Sequence, residues 1–509
     1  MLSNRLLKNG AVSLIVAGLG ICAVRISISE GQTPSGNPAL PSSPAVGNNG
    51  SPGQTGTASP PPSPSPAAPA GLFDRATLLG DMGGLRPFLG RYGIALGAAE
   101  TSEVFGNPSG GVHRSADYNG LTELSLGLDT SKAFGLPGGT FNVSALQIHG
   151  RNLSSDNLYT LQTASGIEAS SATRLWELWY QQAFAAGRID VKVGQQSIDN
   201  EFITSQGSSL FINTAMGWPA LPSLDLYAGG PAYPLSSPGV RVRGQPTDAV
   251  TVLGGVFDDN PPGGSFTDDS QTRGAEQSGT RFNTGTGALF IAEVQYAVNP
   301  APAPVSGPPQ TGAPPPSLPG TYKLGFYYDT GSFPDQRRDA GGVSLADSAG
   351  DGVPAMRHAD FGIYGVMDQT VWRLAPDSAR AAGIFARIMG GPGGRNPLDF
   401  SLNAGIAIKG LFHGRDNDTV GLGYGLARLS GAASALDQDS ARFSGRTGPV
   451  RSSESFIELT YQAQIAPWWI VQPDAQYVFM PGGGIADPIR PGQRINNELV
   501  LGVRANVTF

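Results

Sequence analysis

A chain of 509 residues with 72 Gly, 42 Pro, only 14% charged side chains and one cysteine has little material for long helices and none for a disulfide framework. Its formal net charge of −7, with no basic tract, argues against nucleic acid as a partner. The composition suits many short strands joined by turns.

The first residues, MLSNRLLKNGAVSLIVAGLGICAVR, place Arg5 and Lys8 ahead of an apolar stretch from Ala11 to Val24. That order predicts a signal peptide over 1–25, since the apolar run is short for a membrane-spanning helix. Leu19-Gly20-Ile21-Cys22 invites a lipid-attachment reading, but Ile21 is bulky where small residues are favoured. Residues 26–70 are Pro, Ser, Gly, Ala and Asn with almost no large apolar side chain. Such a segment buries too little surface to offset chain entropy and is expected to be a disordered tether. The third region, 71–509, is expected to be one barrel opened by a short helix, because Leu78, Met82, Leu85 and Leu89 recur at helical spacing between Gly71 and Gly90.

From there the period is two. Phe400, Leu402, Ala404, Ile406 and Ile408 alternate with Ser401, Asn403 and Lys409; Ile457, Leu459, Tyr461, Ala463 and Ile465 alternate with Glu458, Thr460, Gln462 and Gln464. About sixteen such segments are expected, starting near residues 91, 121, 140, 174, 188, 239, 249, 289, 321, 361, 381, 398, 418, 455, 468 and 498. Most run to about 9–12 residues, the length of a tilted membrane-crossing strand. Some connections are very short, as at Ala186-Gly187, Gln245 to Asp248 and Ala466-Pro467, and others are long, including the Pro-rich 299–320. Short turns alternating with long loops, and aromatics such as Trp176, Trp179, Tyr180, Trp218, Tyr327, Tyr328, Trp468 and Trp469 near strand ends, predict an all-β transmembrane antiparallel barrel. The chain closes on ELVLGVRANVTF, a strand pattern ending in Phe509 that resembles the assembly signal of outer-membrane barrels; pairing with the first strand would leave it no free edge.

Several passages carry a more specific likeness: LLGDMGGLRPFLGRYGIALGAAETSEVFGNPSGGVHRSADYNGLTELSLGLD (78–129), GLPGGTFNVSALQIHGRN (135–152), LWELWYQQAFAAGRIDVKVGQQSIDNEF (175–202), GVRVRGQP (239–246), GVFDDNPPGG (255–264), IKGLFHGRDNDTVGLGYGLARLS (408–430) and QPDAQYVFMPGG (472–483). In this order they resemble the carbohydrate-selective porins of the OprB family. The resemblance implies a sixteen-stranded channel of the bacterial outer membrane through which monosaccharides such as glucose diffuse passively, with no cofactor. Its implied partners are sugars, outer-membrane lipids and, through the strand ending at Phe509, the barrel-assembly machinery; association of copies is left open. A nonselective general porin, and a structural or export-associated barrel, are the alternatives.

A sugar calls for charged groups able to make paired hydrogen bonds and for aromatic faces. In GVRVRG, Val240 and Val242 point one way and Arg241 and Arg243 the other; lipid is costly for a guanidinium, so the arginines are expected in the lumen. Glu177, Trp179 and Gln181 share one face of WELWYQQ opposite Trp176, Leu178 and Tyr180, and form a second lumen strip. Asp199, Asn200 and Glu201 open a long irregular passage that is expected to fold inward as a constriction loop. Asp416 and Asp418 in GRDNDTVGLG lack the remaining ligands of a calcium loop, with Val420 and Ala427 at the positions concerned, so a hairpin tip is expected and no metal is assigned. His113, His149, His358 and His413 are scattered and no catalytic motif is present, which points away from an enzyme.

Overall fold

Alternating side chains satisfy both a membrane and a wet interior only if the sheet closes on itself, and the chain does close. A computed structural model describes residues 71–262, 277–281, 283–299, 318–374, 378 and 380–509. The signal peptide and tether expected over 1–70, and most of the Pro-rich 299–320, lie outside the described residues.

The strands are β1 (Ile94–Ser109), β2 (Ala116–Asp129), β3 (Gly139–Gly150), β4 (Ala172–Phe184), β5 (Ile189–Gln196), β6 (Ser237–Thr247), β7 (Val250–Asp258) and β8 (Ala288–Val298). They continue with β9 (Gly320–Asp339), β10 (Pro354–Arg373), β11 (Ala381–Gly390), β12 (Leu398–Lys409), β13 (Thr419–Leu429), β14 (Ser453–Ala466), β15 (Trp469–Phe479) and β16 (Glu498–Thr508). Each pairs with its sequence neighbours, and β16 pairs antiparallel with β1, with Ala99 opposite Thr508 and Val104 opposite Val503. Strand positions agree with the periodicity to within a few residues, except that β2 and β10 begin at Ala116 and Pro354, ahead of residues 121 and 361. Lengths reach 20 residues in β9 and β10, beyond the expected 9–12, because the two strands stay paired as a hairpin from Gly320 opposite Gln369 to Asp339 opposite Pro354.

One rim carries tight connections: Ala185–Gly187 between β4 and β5, Thr247 to Val250 between β6 and β7, and Ala466 to Trp469 between β14 and β15. The opposite rim carries 151–171, 197–236, 430–452 and 480–497, whereas the expected long connection at 299–320 joins β8 to β9 and belongs by strand order to the tight-turn rim. The expected helix is shorter than its leucine spacing suggests. It covers only α1 (Leu85–Arg91), because Gly80, Met82, Gly83 and Gly84 have φ values of 56°, 57°, 66° and 93°, a left-handed run that no helix enters. This segment docks on the short-turn rim: Leu78 N–H donates to Thr508 O at 2.8 Å, Arg86 donates to the Phe509 carbonyl, and Trp468 Nε1 donates to Leu72 O at 2.9 Å.

Outward positions are greasy, as Val193, Val240, Val242, Phe290, Val294, Leu324, Ile363, Leu422 and Leu459 show. Of the aromatics read as girdle residues, Tyr180, Tyr328 and Trp469 lie outward or at the rim, while Trp176, Trp179, Trp218 and Tyr327 point inward. Trp176 is turned by a bulge: Ser144 pairs with Glu177 and Ala145 with Leu175, so Trp176 is skipped and packs on Leu146 and Ile148 inside.

Candidate functional site: a charged wall and an inward loop

The segment between β5 and β6, residues 197–236, packs inside the barrel. Its apolar side chains Ile198, Phe202, Ile203, Phe211, Met216 and Leu221 are almost wholly buried against inward-facing Phe257, Tyr327, Phe385 and Phe456 of the wall. At about 1.5–3 kcal/mol for each large apolar side chain buried, this packing makes the loop part of the fold rather than an appendage. The wall is shaped for it. A Cβ on Gly421 would lie 2.6 Å from Leu210 Cδ2, and one on Gly423 would lie 2.8 Å from both Met216 Cε and Phe211 Cε1, so these two of the inward positions of β13 lack side chains and admit the loop.

Polar wall residues then fix the loop's main chain. Glu293 accepts Ile203 N–H at 2.9 Å, Asp368 accepts Gly207 N–H at 2.9 Å, and Glu458 accepts Ile212 N–H at 2.5 Å. Arg387 donates Nη1 to Gly217 O at 2.8 Å and Nη2 to Ala215 O and Met216 O, both at 2.7 Å. The loop between β3 and β4 is tied likewise: Glu454 accepts Leu161 N–H and Gln162 N–H, both at 2.8 Å. In each case a buried polar side chain satisfies main-chain groups that would otherwise be orphaned inside the barrel.

On the wall formed by β4, β5 and β6 the structure brings the sequence-derived residues together. Gln181, Lys192 and Arg241 stand side by side across three strands, and Asp190 is opposite Arg243 in the next row. Arg241 pairs with Asp190 and Glu201 and donates Nη2 to Gln181 Oε1 at 3.1 Å. Arg243 donates Nε to Asp190 Oδ2 at 2.6 Å, and Lys192 pairs with Glu201. Lys192 Nζ sits 4.6 Å from the Trp179 ring centroid, and Trp179 Nε1 donates to Glu177 Oε2 at 3.2 Å. Glu177 also accepts Ser197 N–H at 3.0 Å, pinning the root of the inward loop. Arg241, Lys192, Glu177 and Asp190 are buried, whereas Trp179, Gln181, Arg243 and Glu201 keep exposed edges.

Of the three loop residues, only Glu201 joins this cluster. Asp199 accepts Tyr233 N–H at 2.9 Å and Ser197 Oγ–H at 2.5 Å, shaping the loop itself, and Asn200 is exposed. Burial works to raise the Glu201 carboxyl, but Lys192 and Arg241 outweigh it and hold the group below the usual carboxylate range. Its contribution to stability is therefore present above the ordinary carboxylate pKa and lost as pH falls through the lower folded value.

Asp190, Lys192 and Arg387 escaped the sequence reading. The first two had a signal of the same kind as the arginines, since Asp190 and Lys192 alternate with Val191 and Val193. Asp418 receives Arg415 Nε–H at 2.7 Å and Gln464 N–H at 3.0 Å, the role of a hairpin-tip carboxylate.

Asp225, in the short helix Ala220–Asp225 of the inward loop, gives a pH prediction. It is fully buried, accepts Leu398 N–H at 3.2 Å, and is pushed well above the usual carboxylate range by burial and then by Asp360 beside it. A raised folded pKa means that its stabilisation is complete below the ordinary carboxylate pKa and is lost as pH rises toward the folded value. Asp225→Asn is expected to remove that loss, so that thermal unfolding in detergent at pH 8 shifts upward relative to the parent and the gap narrows at pH 4.

A closed sixteen-stranded antiparallel barrel with an apolar outer face, polar groups lining its interior and an inward loop defines a porin. Beyond that class, the sequence profile described as "Carbohydrate-selective porin, OprB family" matches residues 113–509, and the chain belongs to this family. It is 25% identical over 456 residues to Porin B of Pseudomonas aeruginosa, covering 85% of this chain and 91% of that one. It is 24% identical over 433 residues to the putative porin QuiX of Acinetobacter baylyi, covering 81% and 90%. Among solved structures, the high-pH structure of Pseudomonas putida OprB superposes with a TM-score of 0.72 at 25% identity, over 86% of this chain and 99% of that one. The protein is a sugar-selective channel of the bacterial outer membrane.

Proposed function

We propose that the wall of β4–β6 and the inward loop together form the selective constriction for passive diffusion of neutral monosaccharides such as glucose, Trp179, Gln181, Arg243 and Glu201 offering the contacts and Arg241, Lys192, Glu177 and Asp190 holding them in place. The observation that carries this is charge balance: three cations, Lys192, Arg241 and Arg243, are interleaved with three carboxylates, Glu177, Asp190 and Glu201. Such a surface presents donors and acceptors to hydroxyls without a net field to attract an ion. The half-exposed indole of Trp179 adds an apolar face for the ring's C–H surface. We read the protein as a channel rather than a catalyst, assembled through the strand ending at Phe509 by the barrel-assembly machinery.

Liposome swelling with the purified protein tests the reading. Glucose is expected to enter faster than an acidic sugar of equal size. Equal rates for all solutes of one size would favour a general porin, and no swelling with any sugar would favour a structural or export-associated barrel.

A further inference from the structure

Most carboxylates inside the barrel are met by main-chain donors, as at Glu293 and Glu458, or by basic side chains, as at Asp190 and Glu201. A group at the long-loop end of β7, β9 and β10 is not. The passage GVFDDNPPGG ends β7 with Asp258 and follows it with Asp259, near Asp329 of β9 and Asp360 of β10. Asp329 and Asp360 are directly opposite across their two strands. Asp259, Asp329 and Asp360 are wholly buried and Asp258 nearly so, and among the described residues none of the four forms an ion pair.

Their oxygens converge. The carboxylates of Asp259 and Asp329 are in contact. A Cβ on Gly331 would lie 2.8 Å from Asp259 Oδ2 and 3.0 Å from Asp329 Oδ1, and one on Gly287 would lie 2.5 Å from the same Asp259 oxygen and 2.8 Å from Thr330 Oγ1. Two carboxylates and a hydroxyl thus crowd a space that a side chain at either glycine would take. Thr286 donates to Asp259 Oδ1 at 2.6 Å and Gly331 N–H to Asp329 Oδ1 at 2.7 Å, but no donor among the described residues reaches Asp259 Oδ2, Asp329 Oδ2, Asp360 Oδ2 or either oxygen of Asp258. Tyr327 Oη, on the same inward face as Asp329 and 1% exposed, also lacks a partner.

Like charges directly opposite on neighbouring strands are destabilising, and buried acceptors in such number are unfavourable unless a proton or a metal ion is shared among them. All the groups here are hard oxygens, with no imidazole or thiolate, which suits calcium rather than a transition metal. Two carboxylates in contact also match the double charge of one such ion. We propose that Asp259 and Asp329 bind a divalent cation of the calcium class at the long-loop end of the barrel, with the Thr330 hydroxyl, main-chain oxygens and water completing its shell and Asp258 and Asp360 adding to the negative field. The site adjoins the inward loop. Tyr227 of that loop packs on Gly331, donates Oη to Ser332 O at 2.7 Å and accepts Ser332 N–H at 3.1 Å, so a bound ion fixes the strip of β9 on which the loop rests.

Equilibrium dialysis of the purified protein in detergent, stripped with a chelator and returned to calcium chloride, tests this. A single calcium ion per barrel is expected, and calcium is expected to raise the unfolding temperature, since it binds the folded state alone. In Asp259→Asn combined with Asp329→Asn the affinity is expected to fall about tenfold or more, and the thermal shift with it, while Asp248→Asn on the tight-turn rim keeps both. No calcium bound by the parent, or binding and thermal shift indifferent to the double variant, would overturn the proposal. So would a double variant stabilised without calcium while the parent gains nothing from the ion, the mark of a shared proton. Should the double variant not fold, terbium luminescence excited through tyrosine decides: calcium is expected to displace the terbium bound by the parent, and Tyr227→Phe to dim its emission. Absent or undimmed emission would place the ion elsewhere and sink the assignment.

Discussion

Replacing Arg387 by alanine is expected to open the channel and destabilise it together. The guanidinium is 1% exposed and holds four loop carbonyls, those of Ile203, Ala215, Met216 and Gly217, besides Asn403 Oδ1 at 3.3 Å. Hydrogen bonds to a charged group are worth roughly 1.5–3 kcal/mol each, and the carbonyls left behind sit inside the barrel without a partner. The loop's apolar side chains still favour the interior, so the expected state is a barrel with a loosened loop rather than an unfolded chain. Single-channel conductance in planar bilayers should rise and become noisy, and the unfolding temperature should fall. Arg387→Lys is expected to recover little, because an ammonium on a flexible stem does not reproduce a planar fork shared among several carbonyls. An unchanged conductance in Arg387→Ala would show that the loop does not limit the pore.

The second large effect is expected at Arg241. Its guanidinium is 4% exposed and Asp190 is wholly buried, so Arg241→Ala leaves Asp190 with Arg243 alone and Glu201 with Lys192 alone. Breaking a buried pair on one side costs on the order of 3–5 kcal/mol, and the remaining cations place this case toward the lower figure. The balanced constriction also gains a net negative charge. Cations should permeate more readily, measured as a shift in reversal potential across a salt gradient, and the preference for glucose over an acidic sugar should sharpen. Arg243→Ala should shift selectivity in the same direction with a smaller stability loss, since Arg243 is half-exposed and Asp190 keeps Arg241. If neither substitution alters relative permeation, the sugar path does not run along this wall.

The sequence by itself determined the barrel. Period-two alternation over sixteen segments, with apolar residues such as Val240 and Val242 set against Arg241 and Arg243, leaves one closed arrangement in which lipid and water each meet the right side chains. It also determined that Glu177, Trp179, Gln181, Arg241 and Arg243 face inward, because parity along a strand is a local property. Parity failed at Trp176, where a bulge spends one residue without a partner, and helical spacing failed before Leu85, where left-handed glycines intervene. Only the tertiary structure decided what those inward residues meet. Glu293 reaches Ile203, Glu458 reaches Ile212 and Arg387 reaches Ala215, contacts between residues far apart in the chain, created when an irregular loop with no period of its own packs into the lumen. Likewise, Asp259, Asp329 and Asp360 are scattered acids in the sequence and become a cluster only when neighbouring strands align them inside the barrel. Local pattern is written in neighbouring residues; loop path and cross-strand neighbourhood depend on closure of the whole sheet, which no short stretch encodes.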